Sequence, residues 1–324
     1  MLLTVTGTET GGLPSKRATD KPRSAVVINP TKVVDLVDRR RRIIDALAGA
    51  GWPEPAWFET TRDDGGFGQT KQAAAEGAEV VVACGGDGTV MACLSALVGT
   101  DVALAVLPAG TGNLLAANLG LPDDPAAGVE VAVKMGRRKI DVGIVGDRAF
   151  AVMAGMGFDA AMVGEAPERL KRILGWPAYA VSAAKNLRAG PMRVEVTLDN
   201  RPPMRRRARS VLIANVGRLQ AGIRLLTDAE PDDGLFDVAL ITPRKLRHWA
   251  VLAFAVITRR DKTPRMEVYR ARRVEVVSDR PQPRQLDGDV IEPAEKLSVY
   301  LEHEALWLCV PQPEDAPDLA EGHP

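Results

Sequence analysis

Short β-branched runs alternate with helical stretches from Ala25 to about Val145, and this alternation is the strongest constraint on the fold. Three of these runs end in small or polar residues, at 29–30, 85–89 and 108–113. Strand–helix alternation predicts a mostly parallel sheet covered by helices on both faces. Ligands bind such sheets beyond the carboxyl ends of the strands, so the three loops are expected to meet at one edge.

From about Asp141 onward the pattern changes to short strands separated by turns, with helical stretches at 166–189 and 244–260. This pattern predicts a β-sandwich or barrel-like second domain. The predicted fold class is therefore α/β followed by mainly β. We predict four parts: a disordered N-terminus at 1–23, an α/β nucleotide-binding domain at 24–140, a β-rich substrate domain at 141–311 and a loose tail at 312–324.

The charge composition limits the classes of partner that the chain is expected to bind. Lys and Arg total 42 in the 324 residues, as do Asp and Glu, so the chain lacks the basic excess of nucleic-acid proteins. The basic runs 39–42 and 205–209 are interpreted as solvated faces.

The cysteines, Cys84, Cys93 and Cys309, are odd in number and widely spaced, which indicates a reducing, cytosolic setting. Neither a signal peptide nor a membrane span is expected.

The segment GGDGT at 85–89 follows a buried strand and precedes a helix. Its glycines allow backbone N–H groups to approach an anion, and the helix adds the positive end of its dipole. Asp87 can hold Mg²⁺ or the polar groups of a nucleotide, and Thr89 offers a hydroxyl. No GK[ST] follows, so this is not a Walker A loop. We interpret it as a phosphate-binding loop, with a tight glycine turn as the alternative.

A second loop, PAGTGN at 108–113, also stands at a strand end. Gly110 and Gly112 expose backbone amides, and Asn113 is placed to N-cap a helix that starts at Leu114. Two such loops in neighbouring strand–helix units are expected to lie side by side, which favours a ligand site over two unrelated turns.

The segment QLDGDV at 285–290 places Asp287 and Asp289 on either side of a glycine, between two β-like stretches. Asp-Gly suits a two-residue hairpin turn for backbone reasons alone. By itself the segment predicts only a turn.

GGDGT followed one strand–helix unit later by PAGTGN resembles the diacylglycerol kinase catalytic family, which includes bacterial lipid kinases and the sphingosine and ceramide kinases. The resemblance extends from about Ala25 to Pro311. Other segments that resemble the family follow in the family's order: NP at 29–30, RRKIDVG at 137–143, GMGFDA at 155–160, PDDGLFDV at 231–238 and QLDGD at 285–289.

This resemblance implies a lipid kinase that uses ATP and Mg²⁺. It implies that Asp287 is the general base for the lipid hydroxyl and that Asp289 assists near the metal. Asp232, Asp233 and Asp237 would contribute to a structural cation site in the second domain. The residues implied to surround ATP are Asn29, Pro30, Gly85, Gly86, Asp87, Gly88, Thr89, Gly110, Thr111 and Asn113.

Two departures from the family pattern bear on the substrate. Asp289 stands where the family often has Glu, and Leu114 stands where many bacterial members have Asp. Diacylglycerol is the first candidate, and a sphingoid base, ceramide or another lipid alcohol stays open. Two further interpretations also stay open: an NAD kinase, which shares GGDGT, and a nucleotide-binding module without turnover.

A lipid substrate predicts transient contact with a membrane surface. The stretch 244–260 is apolar with basic flanks, so it is either a membrane-contacting helix or a helix of the core. We expect a cytoplasmic protein that associates peripherally with the inner face of the membrane. The oligomeric state is open between a monomer and a homodimer.

Overall fold

The computed structural model describes residues 21–110, 112–157, 190–216, 230–242 and 266–311. The first half of the chain contains five helices and the strands between them. They are β1 (Ser24–Ile28), α1 (Leu36–Gly49), β2 (Ala56–Glu59), α2 (Phe67–Ala75), β3 (Val80–Gly85), α3 (Asp87–Leu97), β4 (Ala103–Pro108), α4 (Leu114–Leu119) and α5 (Pro125–Val133).

The second half consists of strands in the part that the structure describes. They are β5 (Arg137–Val145), β6 (Arg148–Phe150), β7 (Met153–Gly157), β8 (Met192–Leu198), β9 (Met204–Ala208), β10 (Ser210–Ala214), β11 (Phe236–Ile241), β12 (Met266–Ala271), β13 (Arg273–Leu286) and β14 (Asp289–Cys309).

The first half forms a parallel sheet in the order β2-β1-β3-β4. Side chains alternate between its two faces, as the pleat requires. Val26 and Ile28 pack with Ile43 and Leu47 of α1 on one face. Val27 packs on the other face in the core that includes the buried residues of α3. Both faces are covered, which explains why these strands are continuous apolar runs.

Two of the helices begin at aspartate caps. The Asp35 carboxylate accepts a hydrogen bond from the Asp38 amide at the start of α1, and Asp124 accepts one from the Ala127 amide at the start of α5. Such caps satisfy amides that the helix itself leaves unpaired. The helix α5 has Pro125 in its first turn, a position that favours proline because its missing N–H is not needed there.

The second half is antiparallel, and its strands follow the order β12-β11-β10-β7-β13, with β8 and β9 added on β13. Its core contains Phe150 and Phe236, whose rings stack with centroids 5.7 Å apart. This arrangement confirms the predicted fold class of a parallel α/β half followed by a β-sandwich.

The long hairpin of β13 and β14 connects the two halves. β13 pairs with β7 and β8 in the antiparallel half, and β14 pairs with β5 and, at Leu308, with Leu104 of β4. The predicted boundary at 140/141 falls within β5. Within the described residues, no helix has the length and apolar character needed to span a bilayer.

The stacked phenylalanines predict where the second core is most sensitive. Replacing Phe236 with Ala removes a fully buried ring, and we expect the free energy of unfolding to fall by about 3–5 kcal/mol. Denaturant unfolding followed by circular dichroism measures this change. Phe67, which is 44% exposed, is the control, and Phe67→Ala should cost less than about 1 kcal/mol. Equal losses in the two variants would contradict the assignment of the core.

Candidate functional site

The three loops predicted from the sequence meet at the carboxyl edge of the parallel sheet. Asn29 follows β1, and its side-chain amide donates to the Thr89 hydroxyl at 3.3 Å. Its backbone amide also donates to the Cys84 carbonyl at 2.9 Å. The Asn29 carboxamide oxygen accepts from the backbone and hydroxyl of Thr31. Asn29 therefore ties the first loop to GGDGT, and Pro30 lies in the turn that follows Asn29.

Glycines allow the first and second glycine loops to touch. A Cβ added at Gly110 would lie 2.7 Å from the Gly86 Cα, which is closer than any real contact. A Cβ at Gly85 would lie 2.6 Å from the Thr89 side chain. The Ala109 amide also donates to the Gly85 carbonyl at 2.8 Å. Glycine is required at these positions by the close approach of the chain rather than by an unusual backbone angle.

Asp87 joins the two loops through its carboxylate. One oxygen accepts from the Asn113 amide at 2.9 Å and the other from the Leu114 amide at 2.6 Å. Burial raises the pKa of Asp87, and the hydrogen bonds from Leu114 and Asn113 oppose that shift. Asp87 thus satisfies the first amides of α4 from across the sheet edge.

The N-cap predicted for Asn113 differs from the one observed. Asn113 occupies the N-cap position of α4, but its side chain makes no cap hydrogen bond there. Instead, its carboxamide accepts from the Gly110 amide at 3.1 Å and donates to the Gly110 carbonyl at 3.0 Å. The left-handed backbone of Asn113, with φ of 45°, turns the side chain back onto its own loop. The Asp87 carboxylate takes over the cap.

The hairpin turn between β13 and β14 brings the second half of the chain to these loops. Asp287 and Gly288 form the two-residue turn, with φ of 48° and 91°, and Leu286 pairs with Asp289. Asp289 reaches the GGDGT loop: a Cβ added at Gly88 would lie 3.4 Å from its Oδ2. Partial loss of water and the charge of Asp87 raise the pKa of Asp289. The two carboxylates therefore repel each other across the cleft.

Asp287 of this turn is buried, with only 3% of its surface exposed. Its Oδ1 accepts from the amides of Val152 and Met153 at 2.9 and 2.7 Å, and its Oδ2 accepts from the Ala151 amide at 2.9 Å. Burial raises the pKa of Asp287 to about 7, against the pull of these three hydrogen bonds. A carboxylate offers about four acceptor positions, so one on Oδ2 is left.

Arg39 is a neighbour of the site that the sequence analysis assigned to a solvated face. Its guanidinium lies partly buried under the second loop, where it donates to the carbonyls of Leu107 and Pro108 at 3.4 and 2.8 Å. Arg209, in the other basic run, is only 9% exposed. The helical spacing of Arg39 places it on the side of α1 that faces the sheet, and this spacing could have predicted its partial burial.

The carboxylates predicted for a structural cation are held by arginines instead. Asp232 accepts two hydrogen bonds from Arg138, and Asp233 accepts one from Arg270, which also lies near Asp237. No group of three or more metal-ligating side chains occurs within 21–110, 112–157, 190–216, 230–242 and 266–311. As arranged, these carboxylates pair with arginines and do not present an open set of cation ligands among the described residues.

Several residues singled out in the sequence lie outside the described residues. They are Thr111 of the second loop, residues 158–160 of the GMGFDA segment, and the two stretches at 166–189 and 244–260. The three cysteines are free and buried, which agrees with their apolar surroundings in the sequence.

Two family models match the chain, one to each half. The model described as the diacylglycerol kinase catalytic domain matches residues 23–145. The model described as the YegS C-terminal NAD kinase beta sandwich-like domain matches residues 151–308. The chain belongs to the diacylglycerol kinase catalytic-domain family.

Curated relatives of the family match at modest identity. A protein of Chromohalobacter salexigens named as a probable lipid kinase of the YegS-like type is 34% identical over 177 residues, which cover 53% of this chain and 56% of that protein. The diacylglycerol kinase of Bacillus subtilis is 25% identical over 286 residues, covering 86% of this chain and 94% of the relative. The chain thus spans little more than half the length of the first of these relatives.

Solved structures of similar fold agree with the architecture. A diacylglycerol kinase structure from Bacillus anthracis superposes with a TM-score of 0.72 at 20% identity, covering 90% of this chain and 97% of that one. Yeast NADH kinase superposes with a TM-score of 0.52 at 12% identity, covering 91% and 85%. At these identities the likeness shows the fold that lipid kinases and NADH kinase share.

The contact between the two glycine loops predicts a sensitive position. Gly110→Ala introduces a methyl group against the Gly86 backbone, and we expect the free energy of unfolding to fall by about 1–3 kcal/mol. Gly49, at the end of α1, has no atom within 4 Å of an added Cβ, so Gly49→Ala should be neutral or stabilising by up to about 1 kcal/mol. Thermal unfolding of both variants checks this, and a Gly110→Ala protein as stable as the wild type would be the contrary result.

Proposed function

We propose that this chain transfers the γ-phosphoryl group of ATP to the hydroxyl group of a membrane lipid, with diacylglycerol as the first candidate. The observation that carries the proposal is the meeting of the two halves at one point. The β13–β14 turn sets Asp289 beside Gly88 of the glycine loop, and Asp287 belongs to the same turn. A phosphate held by the loops would thus lie next to two carboxylates that belong to the other half.

ATP is proposed to lie over the three loops, with its phosphates near the backbone amides of Gly86 to Thr89. Catalysis of phosphoryl transfer relies mainly on positioning and on charge stabilisation. The start of α3 adds the positive end of an 11-residue helix. A groove beside Ala109 is lined by three cations and two carboxylates, namely Lys32, Arg39, Arg42, Asp35 and Asp38. The loop amides, the start of α3 and these three cations are the groups suited to counter the charge of a triphosphate.

Asp87 and Asp289 are the proposed ligands of Mg²⁺. Mg²⁺ prefers oxygen ligands and binds through one or two carboxylates together with substrate phosphates. The fit rests on geometry: a Cβ added at Gly88, the residue after Asp87, would lie 3.4 Å from the Asp289 Oδ2. The charge of Asp87 adds to the effect of burial in raising the pKa of Asp289, and a cation would relieve that repulsion. When bound, Mg²⁺ neutralises charge on the β- and γ-phosphates.

Asp287 is proposed as the general base for the lipid hydroxyl. Three backbone amides hold its carboxylate in one orientation, and one acceptor position on Oδ2 is available for a hydroxyl proton. A pKa of about 7 suits a base that works near neutral pH. The hydroxyl oxygen then attacks the γ-phosphorus, and the bond to the β-phosphate oxygen breaks.

The identity of the lipid is inferred from the names of the relatives, among them the diacylglycerol kinase of Bacillus subtilis. A sphingoid base or another lipid alcohol is the alternative, because Leu114 departs from the pattern of many bacterial members. We propose a cytoplasmic enzyme that visits the inner face of the membrane, with residues 244–260 as the candidate contact. NAD as substrate, or nucleotide binding without turnover, would be the competing outcomes.

Transfer of radiolabelled γ-phosphate from ATP to lipids in mixed micelles tests the proposal. The panel contains diacylglycerol, sphingosine and ceramide with Mg²⁺, and NAD is offered in a parallel reaction. We expect a labelled lipid, and we expect Asp287→Asn to reduce kcat by about 10²–10⁴-fold because the base is lost. Asp279→Asn is the matched control, since this exposed aspartate lies on the same strand and accepts a hydrogen bond from the Arg193 amide, far from the loops.

The alternatives give distinct results in the same assay. Conversion of NAD to NADP without lipid labelling would replace the lipid kinase by an NAD kinase. ATP binding without phosphorylation of either class would indicate a nucleotide-binding module. Full activity of Asp287→Asn would remove Asp287 from the mechanism.

The raised pKa of Asp287 predicts the pH dependence of the reaction. The side chain carries its proton below about pH 7 in the folded enzyme, so it cannot accept one there. We expect kcat/KM to increase through neutral pH and to level off above it. Steady-state rates from acid to mildly alkaline pH measure the profile, and a flat profile across pH 7 would contradict it.

Stability provides an independent check on that pKa. The folded state binds the Asp287 proton up to about pH 7, whereas the unfolded chain loses it near the ordinary aspartate value. The unfolded state therefore binds fewer protons in this window, so stability should fall as pH rises through it. Urea unfolding at several pH values should show a shallower decline for Asp287→Asn than for the wild type.

A further inference from the structure

The acidic turn at 231–234 is tied to the rest of the fold through its backbone. The Asp141 amide donates to the Pro231 carbonyl at 2.6 Å, and the Asp141 carboxylate accepts from the Gly234 amide at 2.7 Å. Asp141 is fully buried and also accepts from the Glu304 amide at 2.8 Å, with His303 Nδ1 at 2.7 Å. The buried carboxylate of Asp141 thus holds the backbone of the turn in place.

Arginines surround the outer side of the same turn. Arg138 on β5 places its Nε and Nη2 each 2.6 Å from an oxygen of Asp232. Arg270 on β12 donates to Asp233, and Arg272 donates to the Gly234 carbonyl at 3.0 Å. The other oxygen of Asp233 accepts from the Leu235 amide at 3.0 Å.

These contacts use the oxygens that a cation would need. Both carboxylate oxygens of Asp232 and both of Asp233 accept hydrogen bonds, as do the carbonyls of Pro231 and Gly234. Asp237, with a side chain only 6% exposed, faces the Arg270 Nε at 3.9 Å. A cation bound through Asp232 or Asp233 would lie next to the guanidinium groups of Arg138 or Arg270, whose positive charge opposes its binding.

Arginines offset most of the negative charge in the cluster. Its four carboxylates belong to Asp141, Asp232, Asp233 and Asp237, and its three guanidinium groups belong to Arg138, Arg270 and Arg272. The Arg138–Asp232 pair is two-pronged and partly buried, with side chains 29% and 17% exposed. Planar, two-pronged arginine–carboxylate pairs are among the stronger charged hydrogen bonds.

We propose that Arg138, Arg270 and Arg272 hold this acidic turn in place of a divalent cation, so that the fold of the second half does not depend on Mg²⁺ or Ca²⁺. This goes beyond the proposed function, in which Mg²⁺ acts only with ATP. A corollary concerns the released carboxylates: without Arg138, Asp232 and its neighbours become a cation site.

Thermal unfolding without nucleotide tests the proposal in the intact chain. Any difference in the wild-type Tm between EDTA, excess MgCl₂ and excess CaCl₂ should also be present in Asp232→Asn. Arg138→Met keeps the aliphatic volume and removes the charge, and we expect a Tm lower by about 5 °C. Adding Mg²⁺ or Ca²⁺ should raise the Tm of this variant by several degrees. Arg205→Met, which breaks the exposed pair with Glu195, is the control and should show neither effect.

Isothermal titration of the wild type with CaCl₂ keeps the test decisive if Arg138→Met does not fold. The wild type should bind no more Ca²⁺ in this titration than Asp232→Asn does. A cation-dependent Tm of the wild type that is lost in Asp232→Asn would overturn the proposal. So would an Arg138→Met protein that is destabilised but does not respond to either cation.

Discussion

The antiparallel pairing of β13 with β14 is the interaction on which the rest of the architecture depends. β13 belongs to the sandwich through β7 and β8, and β14 joins the parallel sheet through β4 and pairs with β5. A single hairpin therefore carries both halves on one hydrogen-bonded framework. The position of its turn then follows from strand length, and this brings Asp289 to Gly88. The geometry of the candidate site is a property of the whole sheet rather than of any one loop.

The parts of this arrangement that could be predicted from sequence are local. GGDGT and PAGTGN can be recognised in the sequence because glycines are needed where two backbones touch, as at Gly86 and Gly110. The Asp-Gly pair at 287–288 predicts its own turn because both residues adopt positive φ. Strand alternation likewise predicts the parallel sheet, since strands buried on both faces must be apolar throughout. Each of these signals is contained within a few consecutive residues.

The remaining features depend on partners far away in the chain. The carboxylate of Asp287 is held by amides at 151–153, more than 130 positions earlier, and nothing in QLDGD indicates them. Asp87 replaces Asn113 as the cap of α4 across 27 positions. Arg138 meets Asp232 across 94 positions, so that an acidic segment resembling a cation site is neutralised by side chains from other strands. Carboxylates are visible in a sequence, but what neutralises them is set by topology.

The continuity of β14 has a mechanical consequence. Its 21 residues run through both halves, so along this strand the halves are not separated by a loop that could act as a free hinge. Any opening or closing of the cleft has to be taken up as twist within the sheet. Pairing is already irregular at three places: between Val277 and Gln282 and between Gln282 and Arg284 on β13, and between Glu302 and Leu306 on β14. Such irregularities increase local twist at little cost in lost hydrogen bonds, and bending of the two halves would concentrate there.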